Sequence, residues 1–334
     1  MTTALKPETK RPLFIPTEAF KATPELVKIE QSALIDHFVS PTGLYAALLA
    51  NAASHIRPGV LTPLGAEPNM HIGLCGRDGN GKGLTFGAAD EILHPPHHTT
   101  NTYGDWECFA DSVRKQQREG HPVPGIAWRL HHFRPFEPLF TGGKTSRDNY
   151  RHLFNSETVD HRKYGVEGGT YRVTVRIAVY RPIETGWLFL PRAVEQGLTT
   201  MFLYAKPDAA DPESQELRTL RKELRPLFPN FALPVPDWSA VSDGPLACPP
   251  SARGELERYH NGGTSAFDRN MIRLRFTVAT AHAALHNRTQ ISDEDWAWTQ
   301  YPLQASVNIA AMNADQAPKF WSWNGMKPVR KAAS

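Results

Sequence analysis

Ile72-Gly73-Leu74-Cys75-Gly76-Arg77-Asp78-Gly79-Asn80-Gly81-Lys82-Gly83 runs from an apolar stretch through a glycine-rich turn to a lysine, and a helix-forming segment follows. The spacing Gly-x4-Gly-Lys is that of a phosphate-binding loop. Glycines let successive backbone N–H groups wrap phosphate oxygens, and the lysine adds a point charge at the β and γ positions. A helix that starts at the loop also points its positive end at the anion. The nucleotide-binding candidates are therefore Gly76, Gly79, Asn80, Gly81, Lys82, Gly83, Leu84 and Thr85, with ATP and its Mg²⁺ as the expected ligand. One position departs from the motif. The serine or threonine that ligates Mg²⁺ after the lysine is Gly83, and Thr85 points elsewhere on the helix.

Upstream, Glu25–Phe38 and Thr42–Ile56 read as helices, the second opened by Ser40 as N-cap and Pro41 in the first helical position. Leu44, Leu48, Leu49, Ala52 and Ala53 form its apolar stripe. Met70–Cys75 reads as a buried strand because the run is short, apolar and followed by a glycine turn. Downstream, Gly83–Leu93, Glu107–Glu119, Lys144–Phe154 and Pro212–Leu224 read as helices, and Ile126–Leu130 and Met201–Ala205 as strands. Tyr171–Tyr180 (YRVTVRIAVY) alternates apolar and polar residues, which marks a strand. A proline-rich excursion over 226–250 precedes three expected helices, Pro250–His260, Asp268–His286 and Asp293–Asn313. Strands with helices first and helices alone afterwards suggest an α/β, RecA/AAA+-like P-loop core with a helical lid. The expected division is a flexible arm over 1–24, an N-terminal helical collar over 25–68, the core over 69–249 and a C-terminal helical lid and tail over 250–334.

At 334 residues with 40% hydrophobic content the chain is long enough for one large α/β domain or two modest ones. A net charge of +3 permits nucleic-acid contact without demanding it. Cys75, Cys108 and Cys248 are odd in number and scattered, giving no disulfide framework and no zinc spacing. No apolar run reaches the roughly 18 residues of a membrane helix. A soluble, cytoplasmic protein without a membrane partner is expected.

The ordered set Ser40-Pro41…Leu44-Tyr45-Ala46-Ala47-Leu48-Leu49-Ala50, Leu61-Thr62-Pro63-Leu64 and the loop ending Gly81-Lys82-Gly83 resembles the actinobacterial and actinophage primase-associated replicative helicase family. Met201-Phe202-Leu203-Tyr204-Ala205-Lys206-Pro207-Asp208 and Arg275-Phe276-Thr277 through Asp295-Trp296 match it in the same order. The resemblance implies a P-loop ATPase acting on DNA without sequence specificity, as a homo-oligomer that can form a hexameric ring. The family's primase half is absent. The resemblance also implies departures. Its acidic pair after the Ile126–Leu130 strand reads His131-His132 here, its glutamate is represented by Asp105, and its arginine before the Phe-Leu strand is Met201. Asp105, His131 and His132 are thus the catalytic candidates. Phosphoryl transfer rests on positioning and charge, so these replacements imply weak hydrolysis. The alternative is a catalytically degraded P-loop protein acting as a binding or assembly module, such as a loader, scaffold or modulator of a host machine.

Other groupings carry less chemistry. His94-Pro95-Pro96-His97-His98 lacks a nearby cysteine or carboxylate and reads as a loop. His282 and His286 share a helix face, yet Ala283 stands where a hydrolytic zinc helix has glutamate, so packing is expected and no metal is assigned. Lys144, Arg147, Arg151, Arg162 and Lys163 form the basic patch expected to meet DNA phosphates, with a solvated helix face as the competing reading.

Overall fold

The computed structural model describes residues 12–77, 79–100, 106–118, 126–130, 144–180, 197, 199–207, 231–262 and 265–314. After a helical turn at Thr17–Phe20, α1 spans Pro24–Gln31, capped by the Thr23 side chain, and a π-helical turn follows at Ser32–Asp36. Ser40 Oγ accepts from Gly43 N to cap α2, Pro41–His55. β1 is His71–Gly76 and α3 is Lys82–Ile92. Next come β2 (His97–Thr100), α4 (Trp106–Arg118), β3 (Ile126–Leu130), α5 (Lys144–Phe154), β4 (Val173–Tyr180) and β5 (Phe202–Ala205). Then follow α6 (Arg253–His260), α7 (Ala266–Leu285), α8 (Asp293–Trp298) and α9 (Gln300–Ala314).

The five strands form one parallel sheet in the order β2-β3-β4-β1-β5. Parallel neighbours require crossovers, which place helices on both faces and bury the strands between them. β4 is inserted between the glycine-loop strand β1 and β3. This strand order, with helices on both faces, is the RecA/AAA+-like α/β fold, and it carries helical extensions.

α2, α3 and α7 share one apolar core with Ile72, Leu74 and Leu203 of the sheet. On the other side, Phe109 and Val113 of α4 and Tyr150 and Leu153 of α5 cluster with Val173, Val175 and Ile177 of β4. The polar half of the β4 pattern does not face water. Arg172, just before β4, donates to the carbonyls of Ile56 (2.6 Å), Arg57 (2.8 Å) and Val60 (3.0 Å) and pairs with Glu67 at 2.6 Å. Arg176, fully buried, pairs with Asp90 of α3 and donates to Asn51 Oδ1 of α2 at 2.8 Å.

α2 lies within the segment expected as the N-terminal helical collar. α2 packs on β1, β4 and β5 and is buried without interruption from Thr42 to Ser54. Its alanines let it be enclosed on all sides, beyond the single stripe, as a helix that is apolar all round must be. The C-terminal helices are also fused to the sheet. α7 packs along α2, and α9 covers β5, where Ser306 Oγ accepts from Tyr204 N at 2.8 Å.

Two expectations change. His97–Thr100 is a strand rather than a loop, paired with β3 from His97↔Ile126. The single helix expected over Asp293–Asn313 breaks at Thr299. Pro302 has no N–H to return to Trp298, so the ladder is interrupted there and restarts with Leu303 N bonding Thr299 O at 3.2 Å. The expected helix Pro212–Leu224 lies outside the described residues. No single helix among them is long and apolar enough to cross a membrane.

Candidate nucleotide site

β1 ends at Gly76, and the loop turns into α3 through Gly79 at φ 78° and Gly81 at φ 77°. A Cβ at either position would meet nothing within 4 Å. Glycine is needed there for the left-handed backbone, not for space. Gly76 is the reverse case: a Cβ would come within 3.2 Å of Pro207 Cγ and 3.4 Å of Asn80 Cβ. The segment after β5 therefore lies against the loop. It also meets the start of α2, where Ser40 N donates to Pro207 O at 3.1 Å.

Lys82 is the first residue of α3 and only 3% exposed. Its ammonium donates to Gly76 O at 3.0 Å and Arg77 O at 2.6 Å, holding the loop closed on itself. The first N–H groups of α3 have no partner one turn back within the helix, and they lie at the same point. A positive helix end, a lysine and two left-handed glycines fit a polyphosphate.

The metal ligand set is another matter. Gly83 has no side chain. Thr85 is fully buried, and its hydroxyl donates to Gly81 O at 3.0 Å. Neither is set to ligate Mg²⁺. Leu84 stands out from the helix at 66% exposure. Asp105, His131 and His132 lie outside the described residues.

The basic candidates separate into groups. Lys144, Arg147 and Arg151 lie at helical spacing along α5, and Arg151 is exposed, as are Arg162 and Lys163 after it. Lys163 has electrostatic company. Tyr164 raises its pKa first, with Glu107 and Asp111 of α4 adding to the effect, and its ammonium lies 4.8 Å from the Tyr164 ring centre. Two carboxylates beside Lys163 dilute the positive field at that end.

The structure adds one residue that sequence spacing does not reach. Asp295 joins His282 and His286, with potential ligand atoms all within 4.8 Å of one another. Each is engaged, however. His286 Nδ1 bonds His282 O at 2.9 Å and its Nε2 bonds Thr23 Oγ1 at 3.0 Å. His282 Nδ1 bonds Tyr45 OH at 2.8 Å, and that hydroxyl accepts from Trp298 Nε1 at 2.7 Å. Asp295 accepts from Arg288 Nη2 at 2.5 Å and from Ser292 N at 2.7 Å. Burial lowers the pKa of both imidazoles, which keeps them neutral. The trio works as a buried polar tie between α2, α7 and α8.

No family model matches the chain, and no curated protein matches it. Among solved structures it is similar to a full-length MCM homolog from Methanopyrus kandleri, with 16% identity and a TM-score of 0.42 over 86% of this chain and 62% of that one. It is also similar to the SCCmec type IV Cch active helicase, with 8% identity and a TM-score of 0.40 over 92% of this chain and 53% of that one. The chain spans less than two thirds of either structure's length. At these scores the likeness adds no argument to the strand order.

Proposed function

We propose that the chain is an ATP-binding P-loop protein that serves DNA replication as a homo-oligomeric, helicase-like ring subunit and hydrolyses its nucleotide slowly. The observation that carries this reading is the loop from Gly76 to Lys82, bounded by β1 and α3, with left-handed Gly79 and Gly81 and the buried ammonium of Lys82. Nucleotide binding and hydrolysis, measured separately on the purified protein, test it. Binding with slow turnover is expected, because Mg²⁺ receives no hydroxyl from Gly83 and Thr85 spends its own on Gly81 O. Gly83→Thr then raises turnover several-fold at unchanged ATP affinity. Brisk wild-type hydrolysis that Gly83→Thr leaves alone would contradict the slow-turnover reading.

For DNA, charge reversal at Lys144, Arg147 and Arg151 weakens binding to unrelated sequences alike. It flattens the salt dependence by about 0.9 of a slope unit for each duplex phosphate that is no longer neutralised. Reversal at Lys163 has a smaller effect because Glu107 and Asp111 already offset it. An unchanged salt slope in the triple variant assigns these residues to a solvated face.

The lack of a hydroxyl for Mg²⁺ at Gly83, with that of Thr85 already committed, also favours a second reading, a binding or assembly module such as a loader or scaffold that keeps nucleotide without turnover. Mass measurements with and without ATP and DNA separate the two. A ring that forms with ATP and tracks DNA supports the first reading, and nucleotide-dependent assembly without DNA supports the second.

A further inference from the structure

At the other end of the sheet from the glycine-rich loop, a small cleft of about 40 Å³ opens between α7, the end of α5 and the turn before β5. His71 forms its floor, five residues before Gly76 along β1. At about 3.3 Å per residue that places the cleft roughly 16 Å from the loop.

Most polar groups around it are committed. His71 Nε2 bonds Phe154 O at 3.1 Å, and its Nδ1 accepts from Val175 N at 3.2 Å. The hydroxyls of Thr277 and Thr200 donate to Arg273 O (3.1 Å) and Gly197 O (2.8 Å). Asn69 is held by Phe154 O and Ser156. Three lining side chains differ. Arg273 and Asn270 on α7 and Asn155 after α5 make no side-chain hydrogen bond or ion pair with any described residue. A guanidinium and two carboxamides, all able to donate, thus line one cleft, beside the apolar side chains of Phe154, Met201 and Leu274.

The charges around them are mixed, and Arg273 is the cation that lines the cleft itself. Burial lowers the Arg273 pKa, while Tyr259, Glu157 and Glu67 oppose that from a distance. Glu67 is already paired with Arg172, and Glu157 Oε2 lies 3.9 Å from His152 Nδ1. Burial holds His71 at about 4, so it adds no second cation.

We propose that this cleft binds a phosphate-class oxyanion, with Arg273 supplying the charge and Asn155 and Asn270 supplying flanking N–H donors. Donors on two walls meet a tetrahedral group from more than one side, whereas a carboxylate offers only two oxygens in a plane. The phosphate is either a free ion or one carried on a polynucleotide backbone.

Calorimetric titration of inorganic phosphate at constant ionic strength tests the site. The Lys82→Ala background removes the glycine-rich loop from the measurement, so this outcome is independent of the nucleotide reading. Saturable binding is expected there, weakened about tenfold or more by Arg273→Gln. Asn270→Ala and Asn155→Ala weaken it by smaller factors and serve as the deciding variants if Arg273→Gln does not fold. No saturable binding, or equal binding in every variant, overturns the proposal. Displacement of the phosphate by a short single-stranded oligonucleotide identifies the backbone as the source; phosphate binding without displacement identifies the free ion.

Discussion

Lys82→Ala lowers ATP affinity about a hundredfold or more while the sheet stays folded. The ammonium bonds two loop carbonyls, Gly76 O and Arg77 O, and the phosphate oxygens of a bound nucleotide are its natural replacements. Charge-assisted hydrogen bonds contribute about 1.5–3 kcal/mol each, and about 1.4 kcal/mol is tenfold in affinity. Loss of two such bonds gives the expected factor. From the sequence, this lysine belongs on an exposed loop and contributes charge alone. In the fold it is buried, so alanine also loosens the loop, and a second variant is needed to isolate the charge. Lys82→Gln keeps a donor for the loop carbonyls without the charge. It binds as weakly as alanine if charge dominates, and close to wild type if loop shape dominates. Fluorescent-nucleotide titration reads both, with a thermal melt confirming the fold. Unchanged affinity in the alanine variant would remove the P-loop assignment altogether.

Arg176→Met costs about 3–5 kcal/mol of folding stability, because it removes the buried guanidinium that pairs with the Asp90 carboxylate in a largely buried site. Arg176 ties β4 to both α2 and α3. Asn51 donates to Asp90 Oδ1 at 3.0 Å and to Leu93 O at 2.8 Å, so the same contact positions the end of α3. The pair is not fully satisfied either, since Arg176 Nε is buried without a hydrogen-bond partner among the described residues. An apolar replacement of both members, Arg176→Met with Asp90→Leu, is therefore expected to recover most of the loss. Urea unfolding followed by circular dichroism measures the cycle. A single-variant loss below about 1 kcal/mol, or a double variant no better than the single, would show that the pair is peripheral to stability.

These two residues also mark how far the sequence can be read. The loop and its flanking elements are legible because the signal is local: an apolar run, glycines at set spacing, a lysine and a helix start. Ser40 and Pro41 announce α2 for the same reason. What α2 packs against is not local. Its alanines look like part of a stripe, and only the position of the sheet and α7 shows the opposite side to be covered. β2 is hidden because His97–Thr100 has no apolar alternation, and its extended form comes from pairing with β3. The charged half of β4 looks like a water-facing edge, yet its arginines are paired by residues 86 and 105 positions away. Thr85 is legible from helical angle alone, and its bond to Gly81 O agrees. Asp295 is hidden from His282 because the turn over 287–292 has to bring it back.

The tie between Tyr45, His282 and Trp298 sets an order on synthesis. Its hydrogen bonds span 237 and 253 positions, among the longest loops the chain closes. At about 5–20 residues per second, α2 waits roughly 12–50 s on the ribosome before α7 and α8 emerge to cover it. Until then an all-apolar helix has no complete pocket, and the nascent chain presents it to chaperones and to other nascent copies. Contacts of such high order slow folding as well, because closure entropy is lost before the buried face returns any stability. Release of the last helices should therefore be the step that commits the whole domain.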